Sequence, residues 1–526
     1  MSTTRGMAVL AAACLLAAGC GGATEERPAQ GGGTFTYGLN ADPGALDPGM
    51  ATLSVTNTVL SLAYDTLTAA DANGKIVPVL AEKWDVKPDS VTFTLRKGVT
   101  CSDGSPLTAD DVAASISFIT DPKNKSPLNG VFVPPGLTAK ADAAAGTVTL
   151  STPKPFSFIL ESTRDVFIVC GKGLKDRSLL AKGTSGSGPY RLVEAAPGDH
   201  YTFQVRKDYT WGPNGATTSE PGQPDKVVFR IVPNEQTAAN LLISGGINAT
   251  IINGVDRTRV EAAPGVKGKV LPGGNGQFFY HQGKDRPTRD PQVRKALTQA
   301  LNLTELAGIA SGGTGRPATT LVLKPSPCPG DSVAGHVPGY DPAAAAAALD
   351  AAGWKPGPDG IRVKDGKKLT LRLLYSTTRS ASVQAAAEYL AAEWRKLGVD
   401  VKLNGVIDTK VSESLMVTQD WDVTWLPIGV NLPSQLLGFL SGPGAPEGGN
   451  FAHLKNGRYE KLVAEAGTKP GPEGCKLWLE AESALFESAD LIPVVENTQL
   501  LAMKGATLEV LAGNFRGATI RLTEGG

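Results

Sequence analysis

The chain has little of what would mark it as a catalyst. Only 4 of its 526 residues are histidine. His200, His281, His336 and His453 fall in no H-E-x-x-H or other ligand spacing, so no metal site is expected from them. There is no G-x-S-x-G elbow and no local Ser/His/Asp signature. The glycine loop Gly183–Tyr190 (GTSGSGPY) lacks both the Lys-Ser/Thr ending of a phosphate loop and the G-x-G-x-x-G spacing, which removes a nucleotide site. Charge of one sign is also missing. The 51 Lys and Arg balance 51 Asp and Glu, which excludes broad electrostatic attraction to nucleic acid or to a membrane surface. After the first 20 residues no apolar run is long enough to read as a membrane-crossing helix. No cofactor is expected.

What is present is length, loops and an address. A chain of 526 residues exceeds what one hydrophobic core normally serves, so at least two lobes are expected. Abundant Gly, Pro and Ala with few aromatics suit a soluble α/β protein rich in loops. At the N-terminus Arg5 precedes the apolar run Met7–Ala18, which has the length of a signal-peptide core and is too short to span a bilayer. The run ends in Leu16-Ala17-Ala18-Gly19-Cys20, which resembles a bacterial lipobox with its leucine displaced one residue outward. Residues 1–19 are therefore read as a lipoprotein signal peptide and Cys20 as the lipidated residue. Residues 20–33, rich in Gly, Pro and Glu, are read as a flexible tether. The expected location is the extracytoplasmic face of the cell membrane, held by lipid.

The stretch Tyr64–Ile116 carries the most information. Val91–Leu95 (VTFTL) alternates apolar and polar residues and reads as a half-buried strand. Asp103-Gly104 makes a turn, Pro106 ends the strand, and Thr108 caps a helix that has Asp110 and Asp111 in its first turn. Across the stretch stand Tyr64, Leu67, Gly74, Pro78, Leu80, Ala81, Trp84, Phe93, Leu95, Arg96, Asp103, Gly104, Pro106, Leu107, Thr108, Ala109, Asp111 and Val112. This pattern resembles the signature region of family 5 extracellular solute-binding proteins, the oligopeptide- and dipeptide-binding components of ABC importers. The likeness continues through the Gly-Pro-Tyr of Gly188–Tyr190, the turn with Asp208, Tyr209 and Trp211, the helix opened by Asp290-Pro291, and Leu491–Val495 (LIPVV).

The resemblance implies an α/β fold of the periplasmic-binding-protein type II kind. It has two lobes and three domains, mixed sheets, and a ligand cleft between the lobes. It places domain I in 34–64, 185–276 and 489–526, domain II in 65–184, and domain III in 277–488. Between these, helix and strand patterns alternate: helices over Asn234–Ser244, Ser380–Leu397 and Leu477–Ser488, strands over Gly33–Leu39, Lys226–Val232, Gln277–His281, Leu369–Tyr375 and Asp422–Trp425. Cys14 leaves with the signal peptide and Cys20 carries lipid, so Cys101, Cys170, Cys328 and Cys475 remain for an oxidising compartment. Of three possible pairings, Cys101 with Cys170 and Cys328 with Cys475 keeps each bridge within one candidate domain. Each would contribute on the order of 4 kcal/mol by restricting the unfolded chain.

The function implied is that of the binding subunit of an ABC importer, capturing a peptide or peptide-like solute. The expected partners are a permease with separate ATPase subunits, and the protein itself is expected to be monomeric. A peptide-signal receptor of the same fold and a secreted hydrolase are the alternatives. By position in the family pattern, the candidate ligand residues are Thr52, Leu53 and Ser54 after the first turn-rich loop, Phe279 and Tyr280 on an aromatic strand, and Trp425, Leu426 and Asn431 around the specificity loop. His453 is a further candidate to face the cleft. Peptide-binding members hold the peptide ammonium with an aspartate a few residues after that tryptophan. Here Leu426–Ser434 (LPIGVNLPS) contains no carboxylate. A buried ammonium without a charged partner costs several kcal/mol, so a solute without a zwitterionic N-terminus is expected, unless another acid supplies the charge.

Overall fold

The structure, a computed structural model, describes residues 32–254, 256–511 and 513–523. The expected signal peptide, Cys20 and residues 20–31 of the tether lie outside the described residues.

The first strand, Thr34–Leu39, runs parallel to Lys226–Ile231 on one side and to Ala249–Ile252 on the other. Parallel neighbours need a crossover, and the helix Glu235–Ser244 supplies it. Asn234 caps that helix by accepting from the Thr237 amide, and Gly245 ends it in the left-handed region at φ +80°. His200–Val205 and Tyr190–Ala196 extend the sheet antiparallel to its edge.

A separate four-stranded antiparallel sheet takes all its strands from residues 81–151, in the order Ala81–Lys87, Ser90–Leu95, Thr147–Ser151, Thr138–Asp142. The helix Ala109–Thr120 lays Val112, Ile116 and Ile119 into the same core as Val91, Phe93, Val148 and Leu150. Its start is a reciprocal capping box between Thr108 and Asp111. The structure joins Cys101 to Cys170 and Cys328 to Cys475.

The longest strands are Val266–Tyr280 and Leu491–Lys504, which pair antiparallel along most of their lengths. One end of this ribbon continues into Ala249–Ile252, the other into Val423–Trp425, Thr370–Ser376 and Asp400–Val406. A single 11-stranded sheet therefore passes through both halves of the protein. Periodicity alone finds only the ends of the two long strands, Gln277–His281 and Leu491–Val495. Between those ends Pro272-Gly273-Gly274 and the polar run Glu496–Gln499 break the alternation. The ladder slips register there, between Pro272 and Asn275 and again between Gly276 and Gln277. At the slip a Cβ on Gly273 would stand 3.2 Å from the Asn497 backbone, so the close approach of the two strands is built on glycine.

The glycine loop Gly183–Tyr190 packs its backbone against Ala63. Gly188 donates its amide to the Ala63 carbonyl at 2.9 Å. A Cβ on Gly186 would lie 2.4 Å from the Ala63 oxygen, and one on Gly188 would lie 2.5 Å from the Ala63 carbonyl carbon. These glycines are fixed by backbone approach and not by an anion.

The helix Cys475–Glu487 carries Glu482 into a core. Ser332 Oγ and the Leu321 amide donate to its carboxylate at 2.5 and 3.2 Å. Burial pushes this carboxyl up to about 7 against an ordinary 4.5, because the charged form loses water. A folded-state value above the unfolded one means stability present below pH 4.5 and lost as pH rises through about 7. Glu482→Gln is expected to shrink the stability difference between pH 5 and pH 8 by about 2 kcal/mol. Chemical denaturation at both values checks this, and an unchanged difference would contradict it.

Candidate functional site

Where the ribbon changes register, the surrounding elements leave a cavity of about 200 Å³. Its floor is Leu271, Pro272 and Gln499 from the two long strands. One wall is the C-terminal end of the first strand, Tyr37–Asn40, with Ser54, Val55 and Thr58 from the helix Ser54–Ala63. The facing wall is Leu323, Lys324 and Asn431, and Phe515 reaches over from the C-terminal hairpin.

Each wall is held from behind. Asn275, at the slip itself, exchanges backbone hydrogen bonds with Ile428 at 2.8 and 2.9 Å, and its side chain donates to the Val322 carbonyl at 3.1 Å. Leu323 donates its amide to Val430 at 2.7 Å. One buried asparagine thus fixes both loops of the far wall to the point where the ribbon bends. On the near wall, Leu53 occupies the N-cap of Ser54–Ala63 and no side chain caps the helix. Its first-turn N–H groups and the positive end of its dipole therefore favour acceptor groups where Ser54 and Val55 meet the cavity.

The described residues lining the cavity include no aspartate or glutamate. Lys324 is the cation among them, and its ammonium pairs with Glu496 at 2.9 Å. Glu496 also binds Arg316 at 2.7 Å, and these cations and Thr319 hold its carboxyl below the ordinary value although burial opposes them.

Of the residues expected from sequence, Ser54 and Asn431 line this cavity. The others do not, and Phe279 and Tyr280 need correction. Successive residues of a strand point to opposite faces, and here both faces are covered. Phe279 packs edge-on against Phe451 at 5.1 Å in one core, while Tyr280 enters another and bonds Thr298 at 3.1 Å. Neither has any exposure, so both are packing residues. Trp425 is buried too, beside Gly276 and in the same core as Val495. Leu426 is half-buried and tied by its amide to the Gln277 carbonyl at 2.9 Å. Thr52 and Leu53 lie exposed ahead of the helix. His453 stacks on His281 at 5.0 Å, and both rings bond Gln419 Oε1, at 2.9 and 2.8 Å. Burial pushes His281 down to about 4, so its imidazole is neutral near pH 7 and is taken up by this contact. Sequence reasoning missed Tyr37, Asn40, Lys324, Gln499 and Phe515. Asn40, directly after the first strand, carried the one usable signal, since sites collect at the C-terminal ends of parallel strands.

Residues 157 and 158 also meet residues 466 and 478 away from this cavity. Ser157 Oγ donates to the Ala466 carbonyl at 2.8 Å, and Trp478 Nε1 donates to Ser157 Oγ at 3.3 Å. Phe158 lies 5.9 Å from the Trp478 ring. Glu161 sits beside this contact, and burial pushes its carboxyl up to about 6.

Packing and lining residues are expected to respond in opposite ways to truncation. Phe279→Ala should lower stability by about 3–5 kcal/mol and leave the affinity for the protein's solute within about twofold. Asn431→Ala should leave the thermal midpoint nearly unchanged and weaken the solute. Thermal melts with calorimetric titration check both, and the reverse pattern would refute the assignment.

Residues 75–446 match the sequence profile of the bacterial extracellular solute-binding proteins, family 5 Middle. The periplasmic murein peptide-binding protein MppA of Escherichia coli (strain K12) is 27% identical over 494 residues, which span 88% of this chain and 87% of that one. A substrate-binding protein from Microbacterium hydrocarbonoxydans, solved in complex with 4-hydroxybenzoate hydrazide, is 27% identical with a TM-score of 0.74, covering 93% of this chain and all 100% of the other. The substrate-binding protein CtaP of Listeria monocytogenes is 24% identical with a TM-score of 0.79 over 94% of this chain and 100% of that one, a likeness of fold. The mixed α/β architecture is that of the type II periplasmic binding proteins.

Proposed function

We propose, for a chain that belongs to the family 5 bacterial extracellular solute-binding proteins, that the cavity on the ribbon captures a peptide-like solute without a free ammonium group. The protein is the solute-binding subunit of an ABC importer. The observation that carries the finer reading is the cavity lining: an uncapped helix start on one wall, and no carboxylate among the described lining residues. Helix amides satisfy carbonyl or carboxylate oxygens, whereas an ammonium placed here would lose its water with no ionic partner. Asn431 offers a neutral amide in the loop where peptide-binding members carry an acid. The relatives are named for, or were solved with, different solutes. MppA is named for murein peptide, and the Microbacterium protein was solved with a hydrazide, which has no ammonium on a saturated carbon and no carboxylate.

In this reading, segments 34–64, 185–276 and 489–526 form one domain, which with 65–184 makes the first lobe. Residues 277–488 make the second. Solute bridging Ser54 and Asn431 draws the lobes together about the ribbon, and the closed form docks on a membrane permease. A separate ATPase supplies the energy, because the chain has no nucleotide loop. Cys20, lipidated after cleavage of residues 1–19, holds the monomeric protein at the outer face of the membrane. The described residues include no helix long and apolar enough to cross it.

Native mass spectrometry of the protein purified from its producing cells tests the solute class. A copurified mass belonging to a blocked peptide or another solute without an amine is expected. A peptide with a free N-terminus would overturn the reading of the cavity. Asn431→Asp is expected to shift selectivity toward free-amine peptides by about tenfold, the scale of one charge-assisted hydrogen bond.

A further inference from the structure

A second cavity, about 340 Å³, lies on the other side of the helix Ser54–Ala63. Ser54, Val55 and Thr58 face the first cavity, Ser61 and the following Tyr64 face this one, and Phe515 borders both. Its exposed rim includes Asn214 and Glu509.

The side chain of Arg164 lines it with none of its surface exposed. Nε, Nη1 and Nη2 of Arg164 have no hydrogen-bond acceptor among the described residues. Its ion pair with Asp165 spans 3.6 Å from Nε, too long for a hydrogen bond. Arg516 lines the same cavity, its Nε is likewise without an acceptor, and its Nη2 reaches the Ala70 carbonyl at 3.5 Å. Asp65, the acid on this wall, is already occupied. It accepts from Ser187 Oγ, Tyr209 OH and Trp211 Nε1, each at 2.9 Å. Buried guanidinium donors left unmade are costly, and guanidinium is the group that takes a carboxylate through two parallel bonds.

We infer that this cavity is a second binding site, for a monocarboxylate with a compact apolar body, held by Arg164 and Arg516. The rest of the wall selects the class. Val79, Phe167 and Phe515 offer apolar surface to the body of such an acid. A dianion such as phosphate would set two negative charges against a wall that already holds Asp65, with Asp165 beside Arg164 and Glu509 at the mouth. The inference stands apart from the solute assigned to the first cavity, because it rests on a different set of side chains.

Calorimetric titration of the purified protein with isovalerate and with its neutral isostere isovaleramide tests it. Saturable binding of one isovalerate per chain is expected, with the amide about tenfold or more weaker. Arg164→Gln should weaken isovalerate by about tenfold or more, and Asn431→Ala should leave it unchanged. No saturable isovalerate binding, equal binding of acid and amide, or loss of binding in Asn431→Ala would each overturn the proposal. The last would place the acid in the first cavity. If Arg164→Gln does not fold, the comparison of acid with amide on the unaltered protein still decides.

Discussion

Two antiparallel strands are the link on which the rest depends. Val266–Tyr280 and Leu491–Lys504 carry the hydrogen-bonded ladder from one half of the protein to the other, so the halves share one sheet. A ladder resists sliding, because a slip of one residue would turn every side chain to the wrong face. It yields more easily to twist and bend where bonds are missing. The register breaks at Pro272–Asn275 and Gly276–Gln277 supply that weak point, and the glycines let the strands approach with no side chain between them. The floor of the first cavity is this same weak point. In the proposed reading, a solute lying on Leu271, Pro272 and Gln499 would touch this weak point as well as the walls, and so would bias the angle between the lobes.

Rigid anchors stand on either side of the weak point. Past it, Arg294 and Asp490 form a buried ion pair at 2.8 Å, and Asn456 donates to the same carboxylate at 2.8 Å. Arg294 also donates to the Ala489, Ser488, Thr288 and Arg289 carbonyls, so the charge is surrounded by acceptors. On the near side, Asp65 gathers Ser187, Tyr209 and Trp211 beside the glycine loop Gly183–Tyr190. The stretch between the two networks holds the register breaks of the ribbon. Away from the first cavity, Ser157 and Phe158 meet Ala466 and Trp478.

Much of this was legible from sequence where local chemistry decides structure. The Thr108 and Asp290 caps, the alternation of Val91–Leu95 and the amphipathic helix after Ser380 need no distant partner to be recognised. The long ribbon was not, because Pro272-Gly273-Gly274 reads as a loop and becomes strand only through its partner. The site was half legible. Ser54 and Asn431 follow from position along the chain, but an aromatic pair such as Phe279-Tyr280 reads the same whether it lines a cleft or fills two cores. Burial separates those cases, and burial is tertiary. Arg164 gave no signal at all, since a lone arginine in ESTRDV is ordinary until its nitrogens are found without acceptors.

If solute holds two lobes closed about the ribbon, its removal must lengthen the distance between them. A distance measured by pulsed electron spectroscopy between labels at Lys87 and Glu465, exposed residues on either side of the Ser157–Ala466 contact, tests it most directly. One narrow, short distance is expected with the copurified solute bound, and a second, longer population once the solute is removed. A single distribution that does not change on removal would contradict it.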